Sequence, residues 1–485
     1  MSKSLAKNTI YKLILNIFNT GLPFILGMYI TRALGKYSYG KFTYVQGIYQ
    51  YFLAFATFGV YQYGLRELSR IRDDKEKLSR VFSNLFVIIL LSNIIVGAIY
   101  TLSMHFIFGG EDNVILHSIA LVMSINFIGN IFYTEWAAEA LENFGFITIK
   151  TIAVQIVSAI AILFLIKSSE DVSTYTLILG ITLCINYICS FIFIKRKINF
   201  NFRDLELKKH VKPMFLVVIL TNASILYTNL DKIMLGALVD DVYSGYYFMC
   251  VGIVYAINNL LLTFVQVTIP RLSYYLSKDN NEGYSSLLNN ISSIYLMILF
   301  PAAMGLLVVG KECILLYGGR DYIEAVSMMP FFAFYMIAVG YENILSNQVM
   351  YLKGKEKEQV NFVFIGGFVN LVLNILCVML GIFTPEVAIT TTVIANFILV
   401  ICEYIYMKNK LNMNINLFGL SKLKYFFISL VFIPITFVIR RYVDGFIICL
   451  ISIILVNCFY YLLALLIIKD PVLINMIKKV KSRIL

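Results

Sequence analysis

VFSNLFVIILLSNIIVGAIYTLSMHFIF, residues 81–108, contains no Asp, Glu, Lys or Arg over its whole length. As a helix rising 1.5 Å per residue it reaches roughly 42 Å, more than the ~30 Å hydrocarbon core of a bilayer. Lipid offers the backbone no hydrogen-bond partners, so a lone spanning segment must satisfy itself as a helix. Working outward, the same character recurs at Asn8–Thr31, Tyr39–Tyr63, Ile115–Leu141, Phe146–Ile166 and Tyr175–Ile194. It continues at Met214–Leu238, Tyr243–Ile269, Leu287–Val309, Ala325–Leu352, Val360–Gly381 and Pro385–Met407. Tyr425–Ile439 and Gly445–Ile468 close the series. The sequence therefore predicts an all-α integral membrane protein with about 14 transmembrane helices.

Composition agrees. The chain is 60% hydrophobic and only 14% charged, against roughly 25% charged in soluble domains. No connection is long enough for a soluble domain; the longest, Lys195–Lys212, suits at most a surface helix. A net charge of +12 raises nucleic acid as a partner, but the basic residues follow topology instead. With the N-terminus placed inside, 31 of the 40 Lys and Arg fall on the inner side and 9 on the outer. By the positive-inside rule both termini are expected in the cytoplasm, and the basic loops rest on anionic membrane lipids. The eight cysteines form no Cys-x-x-Cys, and the three histidines make no metal constellation, so neither a metal nor a cofactor is expected. The basic, apolar N-terminus is too long for a signal peptide and reads as a retained first helix.

The chain repeats itself. Arg32-Ala33-Leu34-Gly35 followed by Tyr39-Gly40-Lys41-Phe42 matches Met234-Leu235-Gly236 followed by Ser244-Gly245-Tyr246-Tyr247. Gly40 to Arg66 and Gly245 to Arg271 are equal intervals, and Leu-Ser follows each arginine, at Leu68-Ser69 and Leu272-Ser273. Six helices separate the copies, so the halves keep one orientation, related by a pseudo-two-fold along the membrane normal. The expected domains are an N-terminal six-helix bundle (1–200), a C-terminal six-helix bundle (201–410), and an extra helix pair with a cytoplasmic tail (411–485). Two such bundles around a cavity make a transporter geometry working by alternating access.

These motifs resemble the polysaccharide transporter family, the O-antigen and capsule repeat-unit flippases of the multidrug/oligosaccharidyl-lipid/polysaccharide exporter superfamily. The resemblance rests on Arg32-x-Leu34-Gly35-x-x-x-Tyr39-Gly40, on Leu230-Asp231-Lys232-Ile233-Met234-Leu235-Gly236 with Gly245-Tyr246-Tyr247, and on Pro270-Arg271-Leu272-Ser273. Glu135-Trp136-Ala137-Ala138-Glu139-Ala140-Leu141-Glu142 is similar to the family's Trp-x-x-Gln-Gly-x-Glu stretch, with Glu139 and Ala140 departing from it. The resemblance implies movement of an undecaprenyl-diphosphate-linked oligosaccharide from the inner to the outer leaflet of a bacterial cytoplasmic membrane. It further implies H+ or Na+ as coupling ion and contact with polysaccharide polymerase machinery. The absence of a Gly-x-x-x-x-Gly-Lys-Ser/Thr loop fits secondary transport rather than ATP-driven transport.

Charged groups at membrane depth cost about 2.5–3.5 kcal/mol each on insertion scales, so each is a candidate for function. Arg32 and Asp231 sit at corresponding ends of the first and seventh helices, with Lys232 beside the latter, and suit an outer gate pair or a diphosphate contact; snorkelling to the headgroups is the plainer reading. Asn16, Asn19 and Thr20 on the first helix, and Thr221, Asn222, Ser224, Thr228 and Asn229 on the seventh, suit a sugar path or ordinary interhelical bonding. Gly21-Leu22-Pro23 and Gly27 are expected to interrupt the first helix, with room for a bend there. Glu135, Glu139 and Glu142, at i, i+4 and i+7, define one stripe of the fourth helix. The first two are coupling-ion candidates; pairing with Arg66 or Arg70 is the alternative. Glu342 is an isolated carboxylate deep in the tenth helix and a transport-pathway candidate. Lys12, Arg66 and Arg271 are candidate diphosphate contacts, since a guanidinium grips phosphate with two hydrogen bonds.

A multidrug exporter or a flippase of the peptidoglycan lipid precursor are the rival transporters. A membrane polymerase or glycosyltransferase is disfavoured, because Phe108–Val114 and Gly310–Glu324 are too short to carry an external catalytic apparatus.

Overall fold

The computed structural model describes residues 3–203, 205–222 and 229–484, without the side chains of 3–10, 12, 13, 216, 220–222, 267 and 479–484. It is 86% helical, with no strand among the described residues. Twelve helices are long and apolar enough to cross a membrane. The expected fourteen are not reached for two reasons. Asn8–Thr31 and Tyr39–Tyr63 merge into one span, and Met214–Leu238 includes residues outside the description.

The chain divides into two compact units, residues 1–248 and 249–485. In the first, α1 (Lys3–Ala56) is followed by α2 (Val60–Arg70), α3 (Lys75–Phe108) and α4 (Val114–Ile131). Next come α5 (Glu135–Ala140), α6 (Phe144–Leu165), α7 (Val172–Lys195), α8 (Leu207–Asn222) and α9 (Leu230–Leu238). The unit ends inside α10 (Asp241–Ser277).

α1 breaks at Gly35, whose φ of 67° and ψ of 172° lie outside helical values. Only glycine takes that backbone without strain. The expected interruption at Gly21-Leu22-Pro23 and Gly27 is absent: the helix runs through Pro23 and Gly27. Proline removes one donor there, a loss that membrane helices absorb locally. Beyond Gly35, α1 packs on α9. The two glycines of the sequence repeat meet: a Cβ on Gly245 would lie 3.0 Å from Gly40 Cα, and one on Gly40 would lie 2.6 Å from the Asp241 carbonyl oxygen. Removing both side chains lets the backbones touch.

The expected fourth helix also ends early. α4 stops at Ile131, α5 is a separate turn and a half, and Glu142 has a positive φ of 59°. Trp136 on α5 is fully buried and lies against Gly64 of α2, where a Cβ would fall 2.5 Å from the indole. Its Nε1 donates to the Tyr133 carbonyl at 2.9 Å. Val60, Tyr63, Gly64 and Leu68 give α2 one buried face, leaving Arg66 and Arg70 exposed.

In the second unit α10 leads to α11 (Asn281–Tyr317), α12 (Met329–Ile344), α13 (Glu356–Met379) and α14 (Pro385–Asn409). A π-helical segment, Leu345–Met350, continues α12. α12 packs on α11 and α14, and α13 on α14. The α13–α14 seam is polar: Asn370 donates to Thr392 and Asn374 to Asn370, while the Thr391 hydroxyl donates to Asn374, at 2.5–2.8 Å. Lipid would leave those amides unsatisfied, so they pair across the helices.

The chain then forms α15 (Leu420–Leu430), α16 (Phe432–Tyr442), α17 (Phe446–Ile467) and α18 (Pro471–Ile484). α15 and α16 make one span, Leu420–Tyr442, broken at Val431. Pro434 explains the break, because its ring opposes the carbonyl of residue 430. Lys422 donates to Asn289 and Ser292 of α11 at 2.9 and 2.7 Å. Arg440 grips Glu312 of α11 at 2.7 Å to each carboxylate oxygen. Tyr461 of α17 donates to the Met297 carbonyl at 2.7 Å.

Candidate functional site

Ionised side chains inside the spans define the candidate sites, and in the first unit they gather around α5. Lys150 of α6 and Glu135 form an ion pair whose side chains are 6% and 20% exposed. The ammonium also donates to Ser190 Oγ at 2.8 Å and to the Asn186 carbonyl at 3.1 Å, both on α7. The Tyr61 hydroxyl donates to Glu139 at 3.1 Å. Tyr133 and Tyr187 lie with ring centroids 4.8 Å apart, both within electrostatic reach of Glu135. A cavity of about 250 Å³ opens beside them, lined by Tyr61, Tyr133, Tyr187, Gln62 and Asn130 among others. Its lining offers aromatic faces and side-chain amides, with the Glu139 carboxylate bonded to the Tyr61 hydroxyl.

The single stripe expected of Glu135, Glu139 and Glu142 does not form, since the helix carrying it is broken. Glu142 turns away to Arg72, at 2.6 Å. Lys150, counted in sequence as one more inner-side cation, is buried. Its position within an otherwise apolar α6 was the available signal.

A second group lies on α9 and α10. Asp231 is fully buried and accepts the Tyr247 hydroxyl at 2.5 Å. Lys232 is 7% exposed, its ammonium 5.0 Å from the Phe248 ring centroid. Asn229 is buried beside them. Arg32, near the Gly35 break, is exposed. On α1, Asn16 and Asn19 are exposed, and Asn19 accepts from Gln155 of α6 at 3.0 Å. The side chains of Lys12, Thr221 and Asn222, together with Ser224 and Thr228, lie outside the described residues. Arg66 is exposed, 3.2 Å from Glu67 and 5.5 Å from the Tyr63 ring centroid. In the second unit Arg271 is exposed on α10 and Glu342 is half-buried on α12.

The second unit also holds charges that sequence reading passed over, Glu312 with Arg440 and the fully buried Glu403. An apolar groove of about 530 Å³ runs between α11 and the α16–α17 pair, lined by Met297, Pro301, Gly305, Leu306, Phe432, Ile453 and Leu465 among others. No group of three or more His, Cys, Asp or Glu suited to a metal occurs among the described residues. His105 and His117 form a hydrogen-bonded pair at 3.2 Å.

Buried ion pairs, polar seams and lateral grooves within apolar helices define a polytopic membrane transporter fold. Residues 5–276 match the model of the polysaccharide biosynthesis protein family, and the chain belongs to that family. It is 23% identical over 386 residues to the "Putative O-antigen transporter" of Escherichia coli (strain K12), covering 76% of this chain and 89% of that protein. The protein of the same name from Shigella dysenteriae is 22% identical over 371 residues, covering 75% and 91%. Among solved structures, the lipid II flippase MurJ in an inward closed conformation superposes with a TM-score of 0.72 at 16% identity, covering 96% of this chain and 100% of that one. An inward-facing multidrug resistance MATE family transporter of the MOP superfamily gives 0.64 at 13% identity, covering 83% and 98%. These likenesses establish the fold as MurJ- and MATE-like.

Proposed function

We propose that the chain flips undecaprenyl-diphosphate-linked oligosaccharide from the inner to the outer leaflet of a bacterial cytoplasmic membrane, for O-antigen or capsule assembly. Membership of a polysaccharide biosynthesis family, joined to a transporter fold, is the observation that carries this reading. The substrate has three chemically distinct parts, and the chain offers a partner for each. Arg66, Arg271 and Lys12 suit the diphosphate, the guanidinium groups by two-pronged hydrogen bonding. Tyr61, Tyr133, Tyr187 and Glu139 suit the sugars. The apolar groove beside Gly305 suits the polyprenyl tail. Arg32 and Asp231 act as an outer gate, Lys232 and the asparagines at 16, 19, 222 and 229 line the path, and the repeat-related halves alternate access. Both termini face the cytoplasm, on the 31-to-9 distribution of basic residues. The cycle is driven by an ion gradient, H+ or Na+, and hands its product to a polymerase.

The test is a deletion strain. Lipid-linked repeat units should accumulate in the inner leaflet, and the cloned gene should restore surface polysaccharide. Normal surface polysaccharide in the deletion strain, with cell-wall synthesis blocked instead, would assign the chain to the peptidoglycan precursor.

A further inference from the structure

In the second unit, α12 and α14 pack side by side and end toward the basic stretches 353–357 and 408–424. Each carries one carboxylate a few residues short of that end, Glu342 and Glu403, and the two lie within electrostatic reach of each other. Glu403 is fully buried, and neither of its oxygens has a hydrogen-bond partner. Among the described residues, no hydrogen bond or ion pair involves the Glu342 side chain. Tyr295 of α11 is buried nearby, within electrostatic reach of Glu342. Tyr255 of α10 also faces Glu342, and Cys402 adjoins Glu403. The two cations of α15, which packs on α11, are committed elsewhere, Lys422 to Asn289 and Ser292 and Lys424 to Asp470. The acidic and basic residues of α13 are confined to its first turn, at Glu356, Lys357 and Glu358. Elsewhere in the chain, buried carboxylates have donors: Lys150 for Glu135, Tyr247 for Asp231, Arg440 for Glu312.

Two ionised carboxylates without a cation would set like charges together in hydrocarbon, each costing about 2.5–3.5 kcal/mol before their repulsion is added. A proton on one of them removes one of the two like charges. We propose that Glu342 and Glu403 form a proton-binding site within the second unit, holding one proton between them and exchanging it as the transporter cycles. The exchange rests on the transport reading; the proton-binding site does not. The π-helical segment begins three residues after Glu342. Such segments store an extra residue in the helix and recur at functional positions. Gaining or losing the proton therefore acts beside this segment.

Infrared spectroscopy of the purified full-length protein at pH 7, in H₂O and D₂O, reads the site directly. Wild type should show the C=O band of a protonated carboxylic acid, shifted by deuteration. That band should vanish in both Glu342→Gln and Glu403→Gln and persist in Glu139→Gln. A wild type lacking the band, or variants retaining it, overturns the site; loss of the wild-type band on adding Na+ at constant pH overturns the assignment to a proton. In proteoliposomes an imposed pH gradient should accelerate wild-type translocation of lipid-linked oligosaccharide, and each variant should lose that acceleration by roughly 5–150-fold, the usual range of coupling between sites. Gradient-independent wild-type translocation overturns the exchange. Absence of wild-type translocation refutes the flippase reading instead, and the infrared result still decides the site. Isosteric glutamine variants that elute monodisperse exclude misfolding as the cause.

Discussion

Replacing Lys150 with methionine would leave the Glu135 carboxylate in a nearly dry pocket, its one remaining neighbour of note being the Ser190 hydroxyl at 3.4 Å. With the two side chains only 6% and 20% exposed, solvent cannot replace the lost ammonium. Breaking such a pair from one side costs about 3–5 kcal/mol, whereas replacing both partners with neutral groups of similar volume is often close to neutral. Lys150→Met should therefore reduce the folded-to-unfolded ratio by about two to three and a half powers of ten. Glu135→Gln should cost less, because the ammonium keeps Ser190 and the Asn186 carbonyl. The double variant should recover most of the loss. Equilibrium unfolding by SDS titration in mixed micelles provides all four corners of the cycle. If the two single losses simply add in the double variant, the pair is not coupled and Glu135 returns to candidacy as an unencumbered ion-binding carboxylate.

Gly40→Ala should destabilise by about 1–3 kcal/mol, since its Cβ would meet backbone atoms of residues 241 and 242 that cannot swing aside. Gly21→Ala, with nothing within 4 Å of its Cβ, should be neutral or stabilise by up to ~1 kcal/mol; thermal unfolding of the two variants compares them directly. Gly305→Leu projects into the apolar groove, where a Cβ meets nothing within 4 Å. It should accumulate at wild-type levels yet translocate more slowly in vesicles, and unimpaired transport would remove the groove from the tail's path. Asp470 accepts from the backbone N–H groups of Val472 and Leu473 at 2.9 Å each and from Lys424. Burial raises its carboxyl, but Lys424 and those N–H groups outweigh this and hold it below the ordinary carboxylate range. Its contribution is then present above its unfolded value, near pH ~4, and lost as pH falls through the lower folded one. Asp470→Ala should cost about 0.5–2 kcal/mol at pH 7, a deficit that narrows in acid denaturation.

Hydropathy made the membrane class and most spans legible, because lipid imposes its length and polarity requirements on sequence directly. The repeat located Gly40 and Gly245 but not their mutual contact, which depends on helix crossing rather than spacing. Periodicity failed at Glu135–Glu142 because it assumes an unbroken helix, and α4 ends at Ile131. Of the candidate residues, Asp231 was singled out as an intramembrane charge, whereas its partner Tyr247 was noted only for the repeat. Glu403 stood in sequence as a lone acid among Ile401, Cys402 and Tyr404, as readable as Glu342. Its significance depends on facing a second carboxylate across two helices, which no linear pattern encodes. Lys422 and Arg440 lie near the ends of apolar stretches, where sequence alone gives no sign that each reaches a partner on α11.

Those two cations fasten the terminal helices to α11 at opposite ends of a single span, with oily surface between them. If the proposed lipid-linked substrate places its tail in this groove, neither fastening stands in the way. On the proposed flippase reading the groove is a berth for the lipid tail, and the movements of the headgroup belong to other parts of the molecule.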